Sequence, residues 1–212
     1  MDFFVPSRVP GPEEHAVGIG EGASNGPAHR VPMKWYIVYT RHHHERAVYE
    51  RLRQRGIEVY LPWAVIWRQG KGGPRQAMIP LFPRYIFVRC FLEMYTHLEL
   101  ITLPGVIRLL EDAQGQPLEV PEAEMRVLQQ LSGAGVPLER GPYPPEGERV
   151  RVVQGTLHGV AGVLRVGAPS TLLVPVPSLR ASVAVTIGLT RVVPWDDGGT
   201  DACQTASPKA EG

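Results

Sequence analysis

The run from His42 to Glu45, three histidines followed by a glutamate, is the most suggestive chemical motif in the chain. Metal ligands on a helix usually stand three or four residues apart, because only those side chains share a face. In this run only His42 and Glu45 have such a spacing; the next pair, His42 with Arg46, includes a residue that is no ligand. The spacing therefore predicts no metal site. A polar helix entry that contacts phosphate groups, or a solvated turn, are the alternatives.

Other candidates for catalysis also lack the context that chemistry needs. No serine stands in a nucleophile elbow with histidine and aspartate partners, and neither cysteine has the surroundings of a nucleophile. The glycines between 70 and 73 lack the strand–loop–helix setting of a phosphate-binding loop. The glutamates between 119 and 124 are typical of a helix start. We therefore predict no catalytic residue, no cofactor and no enzymatic activity.

A strand with two prolines at its entry occupies residues 80–89. Proline donates no backbone hydrogen bond, so both prolines belong at the strand's beginning. Beyond them the side chains alternate between an aliphatic face and an aromatic face. Two interpretations of the aromatic face stay open: packing against the first helix of the same chain, or an exposed docking surface for a partner protein. The aromatic set comprises Tyr39, Phe82, Tyr85 and Phe87.

Composition limits where the chain is expected to work. The 212 residues are 43% hydrophobic and 20% charged, enough for one medium domain or two small ones. Cys90 and Cys203 form neither a disulfide framework nor a zinc pattern, which fits a reducing cytoplasm. No signal peptide is evident, and no apolar stretch approaches the roughly 18 residues of a membrane span. We expect a cytoplasmic protein that makes no membrane contact.

The net charge of +1 conceals three segments of opposite sign. Residues 34–89 hold 11 Lys and Arg against 3 Asp and Glu, whereas residues 91–148 hold 3 against 10. Residues 149–195 hold 5 basic residues and no acidic one. Two basic modules separated by an acidic stretch indicate surfaces that attract phosphate backbones, although many such faces are only solvated.

Hydrophobic periodicity predicts the order β-α-β-β-β-α-β-α over residues 34–131. This order is typical of an α+β fold, with an antiparallel or mixed sheet and helices on one side. The histidines precede a helix from 45 to 54, and Gly56 is placed to end it. The remaining predicted elements are strands at 34–40, 57–61, 63–67 and 106–110, a return strand from 76 that continues into 80–89, and helices at 91–103 and 121–131.

Composition also divides the rest of the chain. Residues 1–33 and 196–212 lack periodicity and are predicted to be disordered, and Met33 is a second candidate start. Residues 132–146 are rich in glycine and proline and are predicted to be a flexible linker. Five short strands follow between 147 and 195, at about 149–153, 160–166, 171–176, 181–187 and 190–193. This pattern predicts a small β-barrel.

The order of these motifs resembles the NusG family of transcription elongation factors over residues 34–195. The strand at 34–41, the segment at 80–88 and Pro104-Gly105-Val106 resemble the family's N-terminal (NGN) domain. The segment at 147–155, with Gly159 and Gly162, resembles the KOW motif that follows it. Details at 39–41, 56–58 and 182–185 are similar to the specialised RfaH and UpxY-type antiterminators.

The resemblance implies a ferredoxin-like NGN domain at 34–131 and an SH3-like KOW barrel at 147–195. It implies a monomeric, non-enzymatic factor for elongation or antitermination that binds RNA polymerase, suppresses pausing or termination, and acts on a particular operon. The implied partners are the clamp helices of the polymerase β′ subunit, the β-subunit gate loop and the non-template DNA strand. Ribosomal protein S10 or the termination factor Rho would bind the KOW domain.

Family positions carry over residue by residue, with two departures. Arg84 stands where glycine or asparagine is common, and Pro175 and Pro177 interrupt a usually smoother strand. A KOW-containing protein that binds RNA or the ribosome is the alternative function, and a metal-dependent enzyme using the histidine run is a third. The implied sites are Tyr39, Phe82, Tyr85 and Phe87 for the clamp helices, Arg41, His43 and Arg46 for DNA, and Thr96 and His97 for the gate loop.

Overall fold

A computed structural model describes residues 32–70, 72–143, 145, 147–187 and 192–195. Nearly all of the N-terminal extension predicted to be disordered, and the whole tail predicted at 196–212, lie outside the described residues. The first two residues of the strand predicted at 190–193 lie outside them as well. Within the described ranges, no helix has the length and apolar character needed to cross a membrane.

The described elements follow the predicted order over residues 34–131 with two differences: the return strand is divided into two strands, and a short strand precedes the last helix. A further strand follows that helix. In chain order they are β1 (Lys34–Thr40), α1 (Glu45–Gln54), β2 (Glu58–Tyr60), β3 (Trp63–Gly70), β4 (Gly73–Pro80), β5 (Tyr85–Cys90), α2 (Met94–Ile101), β6 (Val106–Leu109), β7 (Glu119–Val120), α3 (Glu122–Gly133), β8 (Leu138–Gly141), β9 (Glu148–Val152), β10 (Ala161–Arg165), β11 (Thr171–Val176), β12 (Ala181–Thr186) and β13 (Val192–Pro194).

The first sheet is antiparallel, with the order β2-β5-β1-β6 and β7 paired to β1. Its central strands bury both faces, since Trp35 and Ile37 point one way and Tyr36 and Val38 the other. Helices α1 and α2 pack on the Tyr36 face, whereas α3 belongs to the core on the Trp35 face. The expectation of helices on one side is therefore wrong: a sheet apolar on both faces needs a cover on each.

The predicted return strand from 76 into 80–89 is two strands in the structure. β3 and β4 form a separate two-stranded hairpin, and β5 pairs with β1 in the main sheet. The break lies between Pro80 and Tyr85, where Pro83 cannot donate to a ladder and Arg84 adopts a φ of 76°. The helix predicted at 91–103 is shorter, and spans Met94–Ile101.

The C-terminal strands form a six-stranded antiparallel sheet in the order β13-β9-β10-β11-β12-β8. Its end strands, β13 and β8, do not pair with each other among the described residues, so the sheet is open and a closed barrel is not confirmed. β8 lies inside the segment predicted to be a linker and pairs with β12 from Gly141 to Leu138. Glycine fits at 141 because a larger side chain there would collide with the Ser182 hydroxyl.

Helix α3 connects the first sheet to the C-terminal sheet. The Gln130 amide nitrogen donates to the carbonyl oxygens of Thr156 at 3.1 Å and His158 at 3.0 Å. The Ser178 hydroxyl and backbone N–H both donate to the Glu124 carboxylate. Burial raises the pKa of Glu124, and these hydrogen bonds offset only part of that effect. On the other flank of α3, Tyr60 donates its hydroxyl to the carbonyl oxygen of Leu128 at 3.0 Å.

Candidate functional site

Tyr39 and Tyr85 form a ring pair at the end of the two central strands. They are directly opposite residues in the β1–β5 register, and their ring centroids are 5.2 Å apart at 45°. Both side chains are half-buried, so the pair is supported from below and reachable from solvent. Aromatic pairs of this kind offer a firm apolar surface with a polar hydroxyl at its edge. The tyrosines are therefore suited to contact a partner.

Arg84 closes one side of the tyrosine pair. Its guanidinium carbon lies 4.4 Å from the centroid of the Tyr39 ring, and its Nε donates to the Thr40 carbonyl oxygen at 3.2 Å. Its backbone N–H donates to Glu45 Oε1 at 2.8 Å. Its left-handed φ of 76° is a backbone conformation that favours glycine or asparagine. The arginine here adds a cation to a surface that a glycine would leave neutral.

Arg108 approaches the same ring from the neighbouring strand β6. Its guanidinium carbon lies 5.8 Å from the Tyr39 centroid, and the β1–β6 register pairs Tyr39 with Arg108 directly. The sequence analysis did not include this residue, although its place three residues beyond Gly105 on a predicted strand was a usable signal. The tyrosine pair is thus bordered by two guanidinium groups.

Phe82 and Phe87 differ from the tyrosines in exposure. Their side chains are only 2% and 0% exposed and belong to the core that includes Met125 and Leu128 of α3. The aromatic face therefore packs with α3, and the expected packing against the first helix is wrong because α1 covers the opposite face. The structure separates the predicted set into two surface tyrosines and two core phenylalanines. Polymerase contact by these four residues stays a prediction.

The basic residues predicted to contact DNA surround the N-terminus of α1. Arg41, His43 and Arg46 are all exposed. The turn that carries them is fixed by hydrogen bonds from Arg41 N to the Gly105 carbonyl oxygen at 2.8 Å and from His44 N to the Arg41 carbonyl oxygen at 3.1 Å. An exposed cluster at a helix N-terminus can contact phosphate groups.

Glu45 cannot join the neighbouring histidines in a metal site. It is 4% exposed and accepts the backbone N–H of Arg84 from the other side of the turn. The rings of His42 and His43 contact each other at a tilt of 40°, with centroids 3.8 Å apart. In the part of the chain that the structure describes, no three His, Cys, Asp or Glu side chains are placed to hold a metal ion.

Gly105 fixes the distance between the β6 entry and α1. Its φ is 101°, and a Cβ at this position would lie 2.9 Å from Val48 Cγ2 and 3.1 Å from His44 Nδ1. Only glycine therefore allows the loop to approach the helix this closely. The Pro104-Gly105-Val106 motif thus positions the basic turn.

The two residues predicted to reach the gate loop, Thr96 and His97, are half-buried on α2. More accessible side chains lie beside them: Met94 is 83% exposed and Tyr95 is 80% exposed. Met94 falls within the helix predicted at 91–103 and is the first residue of the shorter helix observed, whose buried residue is Leu100.

The chain is similar to a known protein family and to several solved structures. The family model described as transcription termination factor nusG matches residues 33–129, which include β1 to β7 and most of α3. The sequence matches no curated protein. The structure of the MjSpt4:Spt5 complex is similar at 16% identity in conformations A and B, with TM-scores of 0.28 and 0.26, covering 76% of this chain and 98% and 97% of the matched chains.

A structure of Thermotoga maritima NusG that concerns its domain interaction is similar with a TM-score of 0.50. The match has 24% identity and covers 77% of this chain and 98% of that chain. At this identity the likeness concerns the fold alone. The family-model match places residues 33–129 of the chain in the NusG family.

Proposed function

We propose that the chain is a transcription elongation factor that binds RNA polymerase through the tyrosine pair. The observation that carries the proposal is the tilted, half-buried ring pair of Tyr39 and Tyr85 inside the region matched by the NusG family model. Interfaces concentrate binding energy in aromatic and arginine side chains, and this surface offers both. The chain then acts by binding and needs no catalytic residue.

The clamp helices of the β′ subunit are the proposed partner of this surface. The two tyrosines supply the direct contacts, and Arg84 and Arg108 supply cations that suit acidic side chains on a helix. Phe82 and Phe87 act from beneath, since they are buried and hold the strand ends in place. Their substitution would disturb the core before it disturbed the interface.

The basic turn before α1 is the proposed contact with the non-template DNA strand. Arg41, His43 and Arg46 are exposed on one short segment and suit phosphate groups. Thr96 and His97 on α2 would meet the gate loop of the β subunit. The three surfaces together would bridge the polymerase cleft.

Such a bridge affects elongation only through differential affinity. A factor that binds the elongating conformation more tightly than the paused one shifts the polymerase toward elongation. We infer that this chain suppresses pausing or termination in this manner, as an operon-specific antiterminator similar to RfaH and UpxY-type proteins. Its C-terminal sheet would serve as the KOW module, with ribosomal protein S10 or Rho as its partner.

Single-round transcription tests the proposal. RNA polymerase halted on a template with a strong pause site is released with or without the full chain, and the pause lifetime is measured. We expect the chain to shorten the pause and a Tyr39→Ala, Tyr85→Ala double variant to have no effect. A chain that binds polymerase yet leaves pausing and termination unchanged would contradict the elongation role.

A further inference from the structure

The β3–β4 hairpin forms a two-stranded sheet of its own, and its surface is unusual. Its eight-residue strands pair only with each other among the described residues, from Trp63 with Pro80 to Gly70 with Gly73. One face exposes three large apolar side chains. Trp67 is 68% exposed, Met78 is 56% exposed and Val65 is 43% exposed. Exposed apolar side chains grouped on one face are typical of an interaction site.

Every charged residue of the hairpin is also basic. Residues 59–92 contain no aspartate or glutamate, and the hairpin itself contains Arg68, Lys71 and Arg75. Arg68 and Arg75 are directly opposite each other in the register, and both are exposed. Neither has an ion pair or a side-chain hydrogen bond among the described residues. Like charges placed opposite each other destabilise a ribbon, so an anion that lies between them would relieve this repulsion.

We propose that the tip of this hairpin is a second binding site for single-stranded DNA. Trp67 offers its indole face for base stacking, and the arginine pair one step nearer the turn offers cations for the backbone phosphates. The axes of the two strands in such a ribbon lie only about 5 Å apart in the hydrogen-bonding direction. An extended strand that crosses its edge therefore meets the tryptophan on one face and the guanidinium groups on the other.

The chemistry favours a single strand over a protein partner or a duplex. A protein helix would pair with the apolar face but would leave the arginine pair unmatched. A duplex offers phosphates but hides its base faces from Trp67. The choice of DNA over RNA rests on the proposed function, which already brings a displaced DNA strand to the chain.

Fluorescence anisotropy with labelled oligo(dT) and the full chain tests the site without polymerase. Trp67→Ala should weaken binding roughly tenfold, and Trp67→Phe should restore most of the loss. Arg68→Gln with Arg75→Gln should lower the slope of log affinity against log salt by about 1.4, the value for two phosphate contacts to a single strand. Arg165→Gln, an exposed arginine on β10, is the matched control and should bind as the parent does.

The outcomes separate this inference from the proposed function. Unchanged oligo(dT) binding by both hairpin variants overturns the inference, as does a loss seen only with an Arg41→Ala, Arg46→Ala variant. Equal dependence on Trp67 with a DNA duplex overturns the single-strand assignment, and tighter binding to oligo(U) overturns the choice of DNA. None of these results affects polymerase binding by the tyrosine pair, which is measured with the same variants in a separate assay.

Discussion

At the scale of single residues, Arg84 combines a backbone role and a side-chain role that favour different amino acids. Its φ of 76° favours glycine, whereas its guanidinium group packs 4.4 Å from the centre of the Tyr39 ring. Its backbone N–H holds the buried Glu45 carboxylate whatever the side chain is. The arginine side chain therefore makes a stabilising contact from a backbone conformation that disfavours side chains.

This balance predicts an unusual order of stability at position 84. Arg84→Ala loses the guanidinium contact and keeps the strained backbone. Its free energy of unfolding should therefore be about 1 kcal/mol lower than that of Arg84→Gly, and it should unfold at a lower urea concentration. At Arg108, on the regular strand β6, alanine should be the more stable substitution. Urea unfolding followed by circular dichroism compares the four variants. An alanine at 84 that matches or exceeds glycine would contradict the strain.

At the scale of elements, α3 is the helix that contacts both the first sheet and the C-terminal part of the chain. It covers the aromatic face of the first sheet, receives the Tyr60 hydroxyl, and contacts the C-terminal sheet through Gln130 and Glu124. Burial raises the pKa of Tyr60 to about 12, so its hydroxyl stays protonated and able to donate at neutral pH. Glu124 is the acidic residue at this contact whose pKa burial shifts upward.

The raised pKa of Glu124 predicts a pH-dependent stability with a definite sign. The folded protein binds this proton more tightly than the unfolded chain does, so the stabilisation is complete below the ordinary pKa and is lost as pH rises through the raised value. Glu124→Gln removes the buried charge and keeps an acceptor for Ser178. We expect it to raise the melting temperature by about 2 °C at pH 7 and by less at pH 4.

Thermal unfolding at both pH values provides the measurement. Glu139→Gln, at an exposed position on β8, is the control and should shift little at either pH. A Glu124→Gln protein that melts below the parent at pH 7 would contradict the sign. In that case the hydrogen bonds from Ser178 would outweigh the desolvation of the carboxylate.

Local patterns predicted most of these elements, and long-range packing explains the exceptions. Strand alternation correctly placed Phe87 on one face and Ile86 on the other, and Gly56 ends α1 with a φ of 73° as expected. The position of α3 on the aromatic face depends on long-range packing. Hydrophobic periodicity does not encode which helix packs on which face of the sheet. The strand at β8 was missed because glycine and proline around it resemble a linker, whereas its pairing partners on β12 lie 41 to 47 residues further along the chain.

The candidate site was predicted in part for the same reason. The sequence grouped Tyr39 with Tyr85, and the structure brings these two rings together; their contact with a partner stays a prediction. It did not distinguish Tyr85 at the surface from Phe82 and Phe87 in the core, since burial depends on α3 and on elements far along the chain. Arg108 was missed because its approach to Tyr39 requires the β1–β6 register.

At the scale of the whole molecule, the separated charges match the proposed division of labour. The basic segment at residues 34–89 carries the tyrosine pair, the basic turn and the β3–β4 hairpin. The acidic stretch begins after β5 and includes α2 and α3. Under the proposed function, the basic surfaces would contact nucleic acid and the tyrosine pair would contact protein, so one small chain would reach both components of a transcription complex.

A binding titration with core RNA polymerase tests the central claim most directly. The full chain, Tyr85→Ala and the control Tyr143→Ala, an exposed tyrosine after β8, are compared under the same conditions. Removal of a hot-spot aromatic side chain costs about 2 kcal/mol of binding free energy, which corresponds to roughly 30-fold weaker binding. We expect that loss for Tyr85→Ala and parental affinity for Tyr143→Ala. Equal affinity of all three folded proteins would contradict docking through the tyrosine pair.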